Sequence, residues 1–216
     1  MSVMKTLFNY FSYTFIISAL LFSITAIAAE KKADDDIAAI LAQELKLDEQ
    51  QTQQMRAAMQ KFGAQLEKLF AEQEAEDADP EKLISGVKQA QDAHNKELQG
   101  ILSKDQFKAY EALKEKAIKG IFTDLIAIQL MDIQPKTSLS NEQIDKLAPV
   151  LADTKYKIIK IAWENAGKQL RPRQKISLGR QLKSIQGEAR AAAEKILTPE
   201  QLQAWDKYNE EQQKKS

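Results

Sequence analysis

One five-residue pattern, L-[D/S/T]-x-x-Q, occurs four times in this chain, and the spacing of the copies constrains the fold more than any other feature. The copies run Leu47 to Gln51, Leu102 to Gln106, Leu139 to Gln143 and Leu197 to Gln201. The first and third are 92 residues apart and the second and fourth 95. The chain therefore reads as two copies of one unit, each with a pattern near its start and another near its end. The prolines support this independently, since Pro172 follows Pro80 by the same 92 residues.

Each pattern is a helix start. Asp48, Ser103, Ser140 and Thr198 carry side-chain oxygens that accept from the free N–H groups of a first helical turn. Gln51, Gln106, Gln143 and Gln201 stand three positions later and can reach back to the cap's own N–H, completing a capping box. Leu47, Leu102, Leu139 and Leu197 precede the caps, and Phe107, Ile144 and Leu202 stand where they can close a hydrophobic staple with the last three; Thr52 breaks the rule in the first copy. These twelve residues are read as structural caps and staples, with no client-binding residue assigned.

Between the caps the apolar residues recur at helical steps. Met55, Met59, Phe62, Leu66 and Leu69 make one seam, and Leu83, Val87, Ala90, His94, Leu98 and Ile101 its return across the break at Asp79-Pro80. A helix from about Lys104 then places Phe107, Tyr110, Leu113, Ala117, Ile121 and Leu125 inward, and Pro135 is expected to end the unit. Its far part, Ile121 to Ile133, is more apolar than one face requires, so it must bury against several partners, the outcome expected, or stay exposed as a contact surface. A shorter helix ahead of the first pattern sets Ile37, Ile40, Leu41 and Leu45 on one side. The second unit repeats the plan with Ile144, Leu147, Leu151, Ile158, Ile159 and Trp163, a turn at Arg171-Pro172-Arg173, and a return helix with Ile176, Leu182, Ile185 and Ala189. Pro149 is expected to kink the first of these helices. The fold expected is all-α: two tandem repeats of a long helical hairpin plus a following helix.

The N-terminus sets the compartment. Lys5 is the only charge before Glu30, Phe15 to Ile24 is an apolar run of leader length, and Ala26-Ile27-Ala28 offers a small-residue cleavage site. Residues 1–28 are read as a cleaved signal peptide, starting from Met1 or Met4, with a first helical unit over 29–134 and a second over 135–216. No stable membrane insertion is expected after cleavage. The chain has no cysteine and one histidine, His94, which removes disulfides, thiol nucleophiles and thiolate metal sites. Without a phosphate loop, an H-E-x-x-H pattern or a second histidine, no enzyme, metal or cofactor is expected.

Net charge is zero, yet the halves differ. Residues 29–134 hold 14 Lys/Arg against 21 Asp/Glu, and residues 135–216 hold 16 against 10. The basic half mixes cations with acids and is not read as a nucleic-acid stripe. Complementary halves can dock on each other within one chain or between subunits.

A secreted, helical, cysteine-free chain with paired L-[S/T]-x-x-Q patterns resembles the Spy/CpxP family of periplasmic proteins, whose signature LTxxQ is matched by Leu197 to Gln201. The resemblance covers the chain from about Asp48 onward, with the tandem arrangement as the departure. It implies a curved, cradle-like arrangement of helices, a periplasmic location, and a chaperone that holds unfolded or misfolded proteins without ATP. The alternative it implies is a regulatory partner of an envelope-stress sensor; a lesser alternative, read from the strong apolar faces of the helices, is a helical protein that lies on lipid surfaces. A second unit in cis can replace the partner of the family's dimer, so monomer and homodimer both stand open.

Overall fold

The computed structural model describes residues 31–72, 80–166 and 168–215. The expected signal peptide and Asp79 of the expected break lie outside them. Among the described residues there are seven helices and no strand: α1 (Lys31–Leu45), α2 (Glu49–Ala71), α3 (Pro80–Ile101), α4 (Lys104–Thr137), α5 (Asn141–Asn165), α6 (Pro172–Ala193) and α7 (Pro199–Lys215). The all-α expectation holds.

The chain forms two compact units that meet inside α4, between Ala117 and Ile118. In the unit that ends at Ala117, α2 packs along α3 and α1 packs on α2. Met55, Ala58, Phe62 and Leu66 of α2 face Leu83, Val87, Ala90, His94 and Leu98 of α3, all buried; this is the expected seam except that Ala58 is buried in place of the expected Met59, and Met59 and Leu69 are half-buried. Gly86 marks the closest approach: a Cβ there would stand 2.6 Å from a methyl of Leu69. At the base of this hairpin Leu45, Met55, Ala58, Leu98, Leu102 and Tyr110 form one cluster, with Leu41, Leu47 and Phe107 against it. In the unit that begins at Ile118, α5 packs along α6. Ile144, Leu147, Ala148, Ala152, Ile159 and Ile161 are buried on α5 and Leu182, Ile185 and Ala193 on α6.

Three expectations need correction. Pro135 does not end a helix; α4 runs through it to Thr137. The proline deprives only the carbonyl of Met131 of its helical partner, and both residues are exposed, so water can serve instead. The inner face assigned to α4 is also wrong beyond Leu113, which still packs against the first cluster. The buried residues are Ile118, Phe122, Ile126 and Leu130, whereas Ala117 is exposed and Ile121 and Leu125 are half-buried. Steps of four advance 400°, so the buried stripe winds round the helix by about 40° per step and no fixed face describes it. Finally, Ile40, Ile128, Met131 and Ile176 are more than half exposed, which contradicts the burial expected of Ile40 and Ile176 and, in part, of the Ile121 to Ile133 stretch. Pro149 is accommodated on the exposed side of α5, which continues through it.

Helix boundaries carry the repeat. α2 and α5 start 92 residues apart, α3 and α6 likewise, and α4 and α7 start 95 apart. The offset of 92 also joins the end of α1, Leu45, to the end of α4, Thr137. The residue after each, Lys46 at φ 51° and Ser138 at φ 53°, takes the left-handed conformation that ends a helix without a glycine. The tail of α4 thus stands to the third pattern in sequence as α1 stands to the first. A left-handed conformation costs an L-residue roughly 1 kcal/mol. Ser138→Gly is accordingly expected to raise stability by about 0.5–1 kcal/mol in urea denaturation, and an unchanged midpoint would mean the turn is unstrained.

Candidate functional site

The four patterns come together in pairs. Asp48 and Ser140 cap α2 and α5 with complete boxes: Asp48 Oδ1 accepts from Gln51 N at 2.7 Å and Ser140 Oγ from Gln143 N at 3.2 Å. Ser103 and Thr198 do the same for Gln106 N and Gln201 N, at 3.2 and 3.3 Å. In return the Oε1 of each glutamine accepts from its own cap N–H, at 3.3 Å for Gln51, 2.9 Å for Gln106, 2.9 Å for Gln143 and 3.0 Å for Gln201. Leu102, Leu139 and Leu197 are buried beneath the caps and Leu47 half-buried.

What local reasoning missed is the pairing of the glutamines across the hairpin. Gln51 Nε2 donates to Gln106 Oε1 at 3.0 Å and Gln106 Nε2 donates to Gln51 Oε1 at 3.2 Å, a reciprocal amide pair. The remaining amide hydrogens reach backbone carbonyls at the end of the helix before the partner pattern. Gln51 Nε2 donates to Ile101 O at 3.0 Å, and Gln106 Nε2 lies 3.3 and 3.4 Å from Leu45 O and Lys46 O. The second unit repeats this atom for atom in kind: Gln143 Nε2 to Gln201 Oε1 at 2.8 Å, Gln201 Nε2 to Gln143 Oε1 at 3.0 Å, Gln143 Nε2 to Ile196 O at 3.0 Å and Gln201 Nε2 to Ser138 O at 2.7 Å. Each amide thus uses both hydrogens and both lone pairs. The caps also fix which way round the amides lie, because a flipped amide would turn an NH2 toward the cap N–H.

A signal for this clasp existed in the sequence. The cap position varies among Asp, Ser, Ser and Thr, and any acceptor oxygen suffices there. Position N3 is glutamine every time, although glutamate completes a capping box equally well. Only an amide donates and accepts at once. Chemically the clasp is neutral and saturated, so it ties helix ends and offers nothing to a ligand.

The ion pairs elsewhere fall on helix surfaces. Asp153 on α5 receives Lys119 of α4 at 2.7 Å and Lys157 at 2.8 Å, and these two ammonium groups hold its carboxyl below the usual range. Lys157 also approaches Glu188 of α6 at 3.8 Å. His94 is different. It is buried and stacked on Phe62, with ring centroids 4.6 Å apart and planes 12° from parallel, and its Nδ1 has no partner. Burial, and then the nearby Lys114, lower its pKa to about 4, while Glu97 and the carbonyl of Ala58 act the other way. Among the described residues no three His, Asp or Glu converge as a metal site, and no helix is long and apolar enough to cross a membrane.

No family model matches the sequence, and neither a curated protein nor a solved structure matches it.

Proposed function

We propose that the protein is an ATP-independent chaperone of the Spy/CpxP type, which holds unfolded or misfolded envelope proteins in the periplasm after its signal peptide is removed. The observation that carries this reading is the placing of large apolar side chains in water among charges. Ile128 and Met131, 56% and 52% exposed, stand one turn apart on α4 between Asp124 and Asp132. Ile176, 57% exposed, lies between Arg173, Lys175 and Arg180. A client without fixed structure can be held by such contacts weakly and released without nucleotide, because each apolar side chain offers only a fraction of its burial energy and each charge is screened by salt. The resemblance through the LTxxQ pattern supports the same reading, now with a role for the pattern as a structural tie that keeps the helices in register.

Light scattering of two or three chemically unfolded, unrelated proteins tests it. The protein is expected to suppress their aggregation at near-stoichiometric amounts, less well as salt rises. The double variant Ile128→Ser/Met131→Ser should lose about half or more of the suppression with its helix content unchanged. No suppression of any client at several-fold molar excess would reject the proposal. Tight binding to one folded envelope protein, with no effect on clients, would assign the regulatory role instead.

A further inference from the structure

The turn end of the second hairpin carries a concentration of one charge. Between Glu164 and Glu188 there are six cations, Lys168, Arg171, Arg173, Lys175, Arg180 and Lys183, and no acid, so the mixing of signs expected of the basic half fails here. All six are exposed, and none is paired with an acid among the described residues. Local stability does not explain them. Arg171 occupies the cap position of α6 yet has no acceptor oxygen, so its box is half made, with only Gln174 Oε1 accepting from Arg171 N at 2.8 Å. Arg173 and Lys175 sit in the first turn of α6, where the free N–H groups already make the potential positive and a cation is disfavoured. Ile176 projects from the middle of this face, with Leu170 and Leu178 half-buried on either side.

The corresponding end of the first hairpin has the opposite sign. Under the offset of 92, Asp79 answers Arg171, Glu81 answers Arg173 and Glu76 answers Lys168. The run Glu72, Glu74, Glu76, Asp77, Asp79, Glu81 holds six acids, with no cation between Lys68 and Lys82. Residues 73–79 lie outside the described structure and enter only through their sequence; the segment leaves α2 at the exposed Glu72 and rejoins at Pro80. Half-buried Leu69 and Phe70 stand just before it.

We propose that the basic face around Ile176 docks the acidic segment 72–81 of a second copy of this chain. Each copy offers one acidic and one basic end, so two copies can close through two equal contacts. Six charges against six, three of them at matching positions under the offset of 92, are the complementarity such a contact uses for approach and register. An anionic bilayer would also attract the cations, but one exposed isoleucine gives it little apolar face to bury.

Sedimentation velocity of the full chain at 0.05 and 0.3 M salt tests this. A dimer is expected at low salt, with association weakened roughly tenfold or more at high salt, where charges are screened over about 6 Å. Arg171→Asp/Arg173→Glu/Lys175→Glu should abolish the dimer while its thermal midpoint stays level or rises, because aspartate restores the cap of α6. Glu72→Lys/Glu74→Lys/Glu76→Lys should abolish it too. An equimolar mixture of the two variants should restore association through one contact, since the first keeps the six acids of its segment and the second the six cations of its face, while each altered end carries three charges of either sign. A monomer at every concentration, a dimer that survives either variant, or a mixture that stays monomeric would each overturn the proposal. So would binding of the monomer to phosphatidylglycerol vesicles alone, which would make the face a lipid site.

Discussion

Gln143→Glu is expected to destabilise the second hairpin by about 2–3 kcal/mol at pH 7, the cost of two lost hydrogen bonds and a carboxylate held against acceptor oxygens. The capping box by itself predicts the reverse, because glutamate at N3 serves a cap as well as glutamine. The clasp decides the sign. A carboxylate keeps the bonds from Ser140 N and Gln201 Nε2 but cannot donate to Ile196 O or Gln201 Oε1. Gln143→Ala, which loses all four bonds, should cost a similar amount. In a double-mutant cycle Gln143→Ala/Gln201→Ala should cost less than the two single changes added, by about 1 kcal/mol. Both tryptophans, Trp163 and Trp205, lie in the unit that contains this clasp. Urea denaturation followed by their fluorescence therefore reads the right hairpin. If Gln143→Glu unfolds at the wild-type midpoint, the cross-helix bonds contribute nothing and only the cap remains.

The second large effect is an acid sensitivity of the first hairpin, centred on His94. In the folded chain its pKa is lowered to about 4 from an ordinary 6.5, first by burial and then by Lys114; Glu97, itself paired with Lys61 at 2.9 Å, opposes this. Between pH 6.5 and 4 the unfolded chain therefore takes up a proton that the folded chain refuses. Stability must fall across that window as pH is lowered, and a shift of this size corresponds to a loss of about 3 kcal/mol in all. The group's contribution is complete above pH 6.5 and levels off below pH 4. His94→Phe, which keeps a ring against Phe62, should remove this slope. Circular dichroism in urea at pH 7, 5.5 and 4 makes the comparison; wild-type and variant midpoints that move in parallel would show that His94 accepts its proton in place.

The sequence made the hairpins legible because their determinants are local. Asp48 and Ser140 announce helix starts to any reading of caps, and the spacing of Phe62, Leu66, Val87 and Leu98 follows from 3.6 residues per turn in a helix buried along one stripe. Three features escaped that reading. The stripe of α4 winds through Ile118, Phe122, Ile126 and Leu130 because its steps are all of four residues, and a fixed face is the wrong template for it. Met131 and Pro135 lie together on the exposed side, so the proline that looks like a stop is tolerated. The clasps join residues 55 and 58 positions apart, which no window of ten or fifteen residues can register. Their only trace is that glutamine never changes where the residue beside it in the pattern does.

A chain without cysteine has no covalent means of closing a loop, and the amide pairs supply a different kind of cross-link. A disulfide persists in the unfolded chain and stabilises chiefly by restricting it. The glutamine pair vanishes on unfolding, so its whole contribution lies in the native state, and the chain pays the full entropy of closing each loop whenever it folds. In exchange the tie needs no oxidant, cannot be reduced or shuffled to a wrong partner, and is remade at each refolding.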